Sequence, residues 1–186
     1  MSLIDLVLTV HDRLDEVGVA HAFGGALALA YVAEPRGTVD IDVNVFASLD
    51  TLSGALEALG GAGLAPELDA GDWLPIAGIR LRGHEPFPVE VFPSLDPAYE
   101  VIEDRVVHCP FGPDRRPLPF LSAEDLTIFK LSFGRAKDWV DLTAIAAARP
   151  DLDVDYIEGQ LIALRGPSMY PRLVRLRSLV RGSRGE

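Results

Sequence analysis

Two aspartates one residue apart, Asp40 and Asp42, stand in the run Arg36-Gly37-Thr38-Val39-Asp40-Ile41-Asp42-Val43. The β-branched residues around them predict a strand over Val39–Phe46. On a strand, residues i and i+2 face the same way, roughly 7 Å apart along the chain. Two such carboxylates repel by roughly 1 kcal/mol or more unless something neutralises them. Oxygen ligands with no histidine or cysteine nearby favour Mg²⁺ or Mn²⁺ over zinc. Upstream, Gly24-Gly25 joins a short apolar strand to a helix rich in Ala and Leu. Glycines there let a phosphate approach backbone N–H groups at the positive end of a helix. Phosphates at one end and a hard cation at the other describe a nucleoside triphosphate site.

Other charged residues fall where they could serve it. Glu90 lies between Val89 and Val91 and so faces away from its apolar neighbours. Lys130 shares a helix with Leu126, Phe129 and Phe133 and reads as a lysine at a core edge. Asp138 and Asp141, at i and i+3, share a helix face and could orient Lys130 or Arg135. Arg36 could contact phosphate or pair with Glu34. Thr38, two residues before Asp40, takes the same strand face. The four histidines are scattered and form neither a triad nor a zinc spacing, so they read as structural. Trp73 and Trp139 read as core or interface residues.

The elements that must place these groups follow from local patterns. Ser2 and Asp5 form a capping box before an apolar helical stripe that Gly18 ends. A strand over Ala20–Phe23, a helix over Ala26–Val32 and a helix over about Leu49–Leu59 follow. Residues 64–72 read as a loop. Strands are expected at Trp73–Arg82, Val89–Phe92, Val106–His108 and Leu118–Leu121, with a helical turn at Pro97–Ile102. Ser122 and Asp125 form a second box, and from there the pattern is helical, with breaks at Gly134 and Pro150 and further helices over Val154–Leu164 and Met169–Val180. The chain therefore divides into an α/β part, 1–121, and a helical part, 122–186.

The totals narrow the class. An apolar content of 48% supplies a real core. The one cysteine, Cys109, precludes an internal disulfide and fits a reducing, cytoplasmic setting. No apolar run is long enough to span a membrane, and Asp5 interrupts what would be a signal sequence, so neither a membrane segment nor a leader is expected. The net charge of −11 argues against non-specific nucleic-acid binding by the body. Residues 165–186 run the other way, with six arginines against Glu186 alone. Such a tail is either a solvated face that pairs with acids on the body or an arm for phosphate or a partner.

The run from Gly24-Gly25 to Arg36-Gly37-Thr38-Val39-Asp40-Ile41-Asp42 resembles the signature of the polymerase β-like nucleotidyltransferase superfamily. Together with Leu121–Leu142, which holds an acid, Lys130, Arg135 and then Lys137-Asp138-x-x-Asp141, it is similar to the AbiEii/MenT branch, toxins of type IV toxin–antitoxin systems. The two blocks cover about a third of the chain. The resemblance implies an α/β (α+β) nucleotidyltransferase sheet domain, 1–121, followed by a C-terminal helical bundle with a basic last helix, 122–186. It implies Mg²⁺ (or Mn²⁺) held by Asp40 and Asp42, with Glu90 as the third carboxylate, either on a second metal or as the base. Relatives often have Asp at that third place, and many have Gly-Ser where this chain has Gly24-Gly25, so backbone donors must cradle the phosphates here. Lys130 would hold the triphosphate, with Arg36, Arg135 and Lys137 as further phosphate cations. Asp141 would orient them, because the branch repeats an acid there. In the toxin branch a Ser or Thr at the place of Thr38 can be phosphorylated by the antitoxin, which makes Thr38 a regulatory candidate.

The activity so implied is transfer of a nucleotide from an NTP to an RNA acceptor, the tRNA 3′ end, with release of pyrophosphate, by the toxin of a toxin–antitoxin pair whose antitoxin acts as a kinase. The basic tail supports RNA and the acidic body opposes it. Aminoglycoside nucleotidyltransferases share the glycine and aspartate arrangement, and an acidic body would attract a cationic antibiotic. A silent binding module of the same fold is the third reading, opposed by the intact Asp40, Asp42 and Lys130. The sequence does not name the preferred NTP.

Overall fold

Ser2 Oγ accepts the Asp5 amide and the Asp5 carboxylate accepts the Ser2 amide in return, so the first helix starts where the capping box places it. The computed structural model describes residues 1–67, 78–94 and 96–185. Its helices are α1 (Leu3–Glu16), α2 (Gly25–Val32), α3 (Leu49–Gly61), α4 (Glu100–Glu103), α5 (Ala123–Phe133), α6 (Ala136–Ala148), α7 (Val154–Arg165) and α8 (Tyr170–Arg184). Its strands are β1 (His21–Phe23), β2 (Ile41–Phe46), β3 (Ala65–Pro66), β4 (Ile79–Arg82), β5 (Val89–Ser94), β6 (Val107–Phe111) and β7 (Arg116–Phe120). The residues before Gly78 in the expected Trp73–Arg82 strand, Trp73 among them, lie outside the described residues. The short β3 falls in a stretch that read as loop. It forms because Ala65 and Pro66 find a partner in β4, which no local pattern reveals.

The chain forms two compact units. One holds residues 1–27 and 37–120, the other 28–36 and 121–186. The second unit thus includes a segment from the N-terminal half, the end of α2 and the turn up to Arg36, which a single cut at residue 121 leaves in the sheet domain.

In the first unit the seven strands run in the order β3-β4-β5-β2-β1-β7-β6. The β2–β5 and β1–β7 pairs are parallel and the rest antiparallel. Ile41, Val43, Val45, Val89 and Val91 are fully buried on the face away from the acids, as their alternation requires. Beside them His21 is buried, and its Nδ1 lies 2.8 Å from the Val19 carbonyl. A carbonyl only accepts, so Nδ1 carries the proton and Nε2 accepts from His11 Nδ1 at 2.9 Å. Burial lowers the His21 pKa from its ordinary 6.5 to about 4, and it lowers that of His11 as well.

Below its ordinary pKa the unfolded chain takes up a proton that folded His21 refuses. Stability should therefore fall as pH drops from 6.5 towards 4, by on the order of 3 kcal/mol. Urea midpoints measured at pH 7 and pH 4.5 should show this loss in the wild type and a smaller one in His21→Asn.

The second unit is a helical layer. α5 packs on α6 and α7, and α6 on α8. Ser122 caps α5 through the Asp125 amide at 3.2 Å. The reciprocal half of the expected box is replaced: the Asp125 carboxylate accepts from Ser122 Oγ and from Tyr156 Oη, the latter at 2.6 Å. Gly134 ends α5 at φ 65°, in the left-handed region.

Candidate active site

β2 opens at Ile41, two residues later than the residue pattern predicts. The cause is Thr38. Its Oγ1 donates to Asp40, 2.8 Å from Oδ1 and 2.9 Å from the carbonyl, and the chain bends there before the ladder begins. Asp40 therefore sits on the bend that enters the strand, and Asp42 on the pleat. The shared strand face expected for Thr38, Asp40 and Asp42 is corrected to this bend-and-strand arrangement.

Gly24 N donates to the Asp42 carbonyl at 2.9 Å, tying the glycine turn to β2. Gly25 has φ 52° and begins α2. A Cβ built on it would lie 1.7 Å from Asp42 Oδ2. The Asp42 carboxylate thus rests against the first turn of α2, in space that only glycine leaves open. Gly25→Ala must push the carboxylate aside and also strains the backbone by about 1 kcal/mol. It should cut any catalysis that depends on this carboxylate at least about tenfold while lowering Tm only a few degrees, as read by steady-state assay and thermal melt.

Glu90 lies directly opposite Asp42 in the parallel β2–β5 pair. Arg80 lies directly opposite Glu90 in the antiparallel β4–β5 pair. Three strands thus carry the row Arg80, Glu90, Asp42 on one face. Arg80 Nη1 is 2.7 Å from Glu90 Oε1, and Arg80 Nε is 3.3 Å from Glu67 Oε2. Nothing in the sequence pattern singles out Arg80, whose partner appears only once the register of three strands is known. Asn44, next along the same face of β2, is buried with its Oδ1 lacking a hydrogen-bond partner.

Among the described residues, no three His, Cys, Asp or Glu side chains are grouped to hold a metal ion. The donor chemistry of Asp40 and Asp42 fits one hard cation. Glu90, expected as the third carboxylate, forms an ion pair with Arg80 in this structure.

Two cations of the second unit, Arg36 and Lys130, converge on one carboxylate. Arg36 Nε donates to Asp141 Oδ1 at 2.8 Å and Arg36 Nη2 to Oδ2 at 2.9 Å, a bidentate pair. Lys130 Nζ donates to the same Oδ2 at 2.6 Å. Lys130 and Asp141 are 5% and 2% exposed, so Lys130 is a buried ion-pair lysine and not one at a core edge. Arg36 meets Asp141 instead of Glu34. Burial raises the Asp141 pKa, but the bonds from Arg36 and Lys130 outweigh it and the net shift is downward. Asp138 takes the other cation: its carboxylate accepts Arg135 Nε at 2.8 Å and the Arg135 amide at 2.9 Å. Lys137 is exposed. The two acids of the Lys-Asp-x-x-Asp run thus serve different cations, which their shared helix face alone did not decide.

The basic last helix is largely engaged within its own unit. Arg172 caps the end of α5 through the carbonyls of Leu131 and Ser132. The Arg175 guanidinium stacks 3.8 Å over the Trp139 ring. Arg177 donates to Glu158 at 2.6 Å and to Asp155 at 3.4 Å. Of these three, only Arg177 pairs with acids, as the solvated-face reading expects, and those acids lie on α7 of the same unit.

No family model matches the sequence, and neither does any curated protein. Solved structures do. The antibiotic-resistance factor ANT(2″)-Ia, in complex with adenylyl-2″-tobramycin, aligns with TM-score 0.57 and 18% identity over 89% of this chain and 98% of its own. The lincosamide adenylyltransferase LnuA, bound to lincomycin, aligns with TM-score 0.55 and 15% identity over 76% and 94%. The nucleotidyltransferase toxin MenT4 of Mycobacterium tuberculosis H37Rv aligns with TM-score 0.51 and 17% identity over 86% and 62%. The chain has the nucleotidyltransferase fold: a mixed α/β sheet unit with a helical partner. Among the described residues no helix is long and apolar enough to cross a membrane.

Proposed function

We propose that the chain is a metal-dependent nucleotidyltransferase, transferring NMP from an NTP to an acceptor hydroxyl and releasing pyrophosphate. The observation that carries this is the Asp42 carboxylate seated against the glycine turn at the start of α2, with Glu90 opposite it and Asp40 one bend away. The acceptor oxygen forms a bond to the α-phosphorus, the bond to the bridging oxygen breaks, and pyrophosphate leaves with the electron pair. A divalent cation bound by Asp40 and Asp42 would polarise the phosphate oxygens and offset their charge. Gly24 and Gly25 offer backbone donors to phosphate. Lys130 and Arg36, held by Asp141, supply the cations, with Arg135 and Lys137 as further phosphate contacts. Glu90 either completes the metal set or takes the proton from the acceptor hydroxyl.

For the acceptor, the reading is RNA, the tRNA 3′ end, with the chain as the toxin of a toxin–antitoxin pair. Its support is that the Lys130, Asp138 and Asp141 motif similar to the toxin branch forms contacts in one unit. A second reading, a cationic small molecule, is favoured by the engagement of Arg172, Arg175 and Arg177 within α5–α8, which leaves less of a basic arm on an acidic chain. Incubation with α-labelled NTPs and Mg²⁺, against tRNA in one arm and an aminoglycoside in the other, separates them. Label on tRNA supports the toxin, label on the aminoglycoside supports the second reading, and label on neither removes both.

A kinase partner would act at Thr38, which is half-buried. Phosphate there removes the proton donated to Asp40 and adds about two negative charges beside it. Thr38→Glu should cut transfer by about 100-fold or more, whereas Thr38→Val, which loses only the hydrogen bond, should cost about tenfold or less. Full activity in the glutamate variant would sink the switch.

A further inference from the structure

The carboxylate row of the first unit contains a permanent cation. Arg80 is fixed from both sides, by Glu90 at 2.7 Å and by Glu67 at 3.3 Å, while Glu67 is also gripped by Arg82 at 2.9 Å. The Glu67 amide donates to the Arg80 carbonyl at 2.8 Å, so backbone as well as side chain locates the residue. Register then puts this guanidinium, Glu90 and Asp42 side by side on adjacent strands. Glu90 and Asp42 directly opposite each other would repel, and a fixed positive charge beside Glu90 relieves that. In a two-metal nucleotidyl-transfer site the same relief, and the same neutralisation of phosphate charge, comes from the second ion.

We infer that Arg80 stands in for a second metal: it keeps Glu90 out of the metal's ligand set, so that this chain binds one divalent ion, at Asp40 and Asp42, instead of two. The inference rests on the metal reading of the preceding section and deepens it. Arg80 is then the group that sets metal stoichiometry, and Glu90 is left as a carboxylate free of metal. The Arg80 guanidinium also offers donors that a phosphate oxygen can share, because the side chain remains 43% exposed.

Titration of Mn²⁺ into the full chain, followed by electron paramagnetic resonance of the free ion, tests this without recourse to activity. The wild type should bind about one Mn²⁺ per chain and Arg80→Met about two. The double variant Arg80→Met/Glu90→Gln should return to about one, which excludes a general effect of removing a surface charge. Two ions on the wild type, or one on Arg80→Met, would overturn the inference while leaving the metal reading standing. No bound ion on any of the three proteins would overturn the metal reading itself, and this inference with it. Arg80→Lys, which keeps the charge on a compact ammonium, should stay at one; a rise to two there would show that the fork geometry of Arg80 and not its charge excludes the ion.

Discussion

Asp141→Ala should destabilise the second unit by about 3–5 kcal/mol, because it strands a buried cation. Lys130 is 5% exposed and its ammonium donates to the Asp141 carboxylate at 2.6 Å. Arg36 loses its bidentate partner in the same step. For a chain of this size that loss lowers Tm by about 10 °C. Lys130→Met alone should cost less, since Asp141 keeps Arg36. Lys130→Met with Asp141→Leu should recover much of the stability, because a buried ion pair replaced by apolar groups of similar volume is often near neutral. The pH dependence has a definite sign. The Asp141 pKa is depressed in the folded chain, so its contribution is full above the unfolded value of about 3.9 and is lost as pH falls through the folded one. The stability gap between wild type and Asp141→Asn should therefore close in acid. A gap that stayed constant down to pH 2 would mean that Asp141 acts through shape and not charge.

Asp42→Asn should have the opposite signature: activity lost, stability kept. The carboxylate faces Glu90 across β2–β5, and opposed like charges destabilise a sheet by a fraction of a kcal/mol. Removing one of them should leave Tm unchanged or slightly raised, a trade common where function holds like charges together. Transfer should fall by about 10³-fold or more, about 4 kcal/mol of transition-state stabilisation, because a neutral amide binds a hard cation far less well than a carboxylate. Asp40→Asn should behave alike in activity, with a small further cost from the changed hydrogen bond to Thr38. An Asp42→Asn protein that melts several degrees lower and keeps activity would make Asp42 a structural residue.

What could be read from sequence was what local chemistry decides. The cap at Ser2, the stop at Gly134, the alternation of Ile41, Val43 and Val45 and the outward Glu90 all depend on neighbours within a few residues, and the structure places each accordingly. Failures came where a partner lies far along the chain. Arg36 and Asp141 are 105 residues apart, Arg80 meets Glu90 only through the register of β4 and β5, and β3 exists because β4 covers it. The tail shows the limit of composition. Six arginines in the last segment left a solvated face and an arm both open, and Arg172, Arg175 and Arg177 find a helix end, an aromatic face and two acids between 19 and 41 residues away. The start of β2 was misjudged for a subtler reason: β propensity favoured Val39, while one hydroxyl, that of Thr38, bends the chain at Asp40.

Nucleotidyl transfer should depend on Asp42. The direct measurement is pyrophosphate release with covalent transfer of α-label, from each NTP in turn, to tRNA or an aminoglycoside, with Mg²⁺ or with EDTA. Label on one acceptor and equimolar pyrophosphate are expected with Mg²⁺, and neither product with EDTA or with Asp42→Asn. Folded wild-type protein that yields no label and no pyrophosphate with any NTP and either acceptor, or transfer that survives both EDTA and Asp42→Asn, would contradict it.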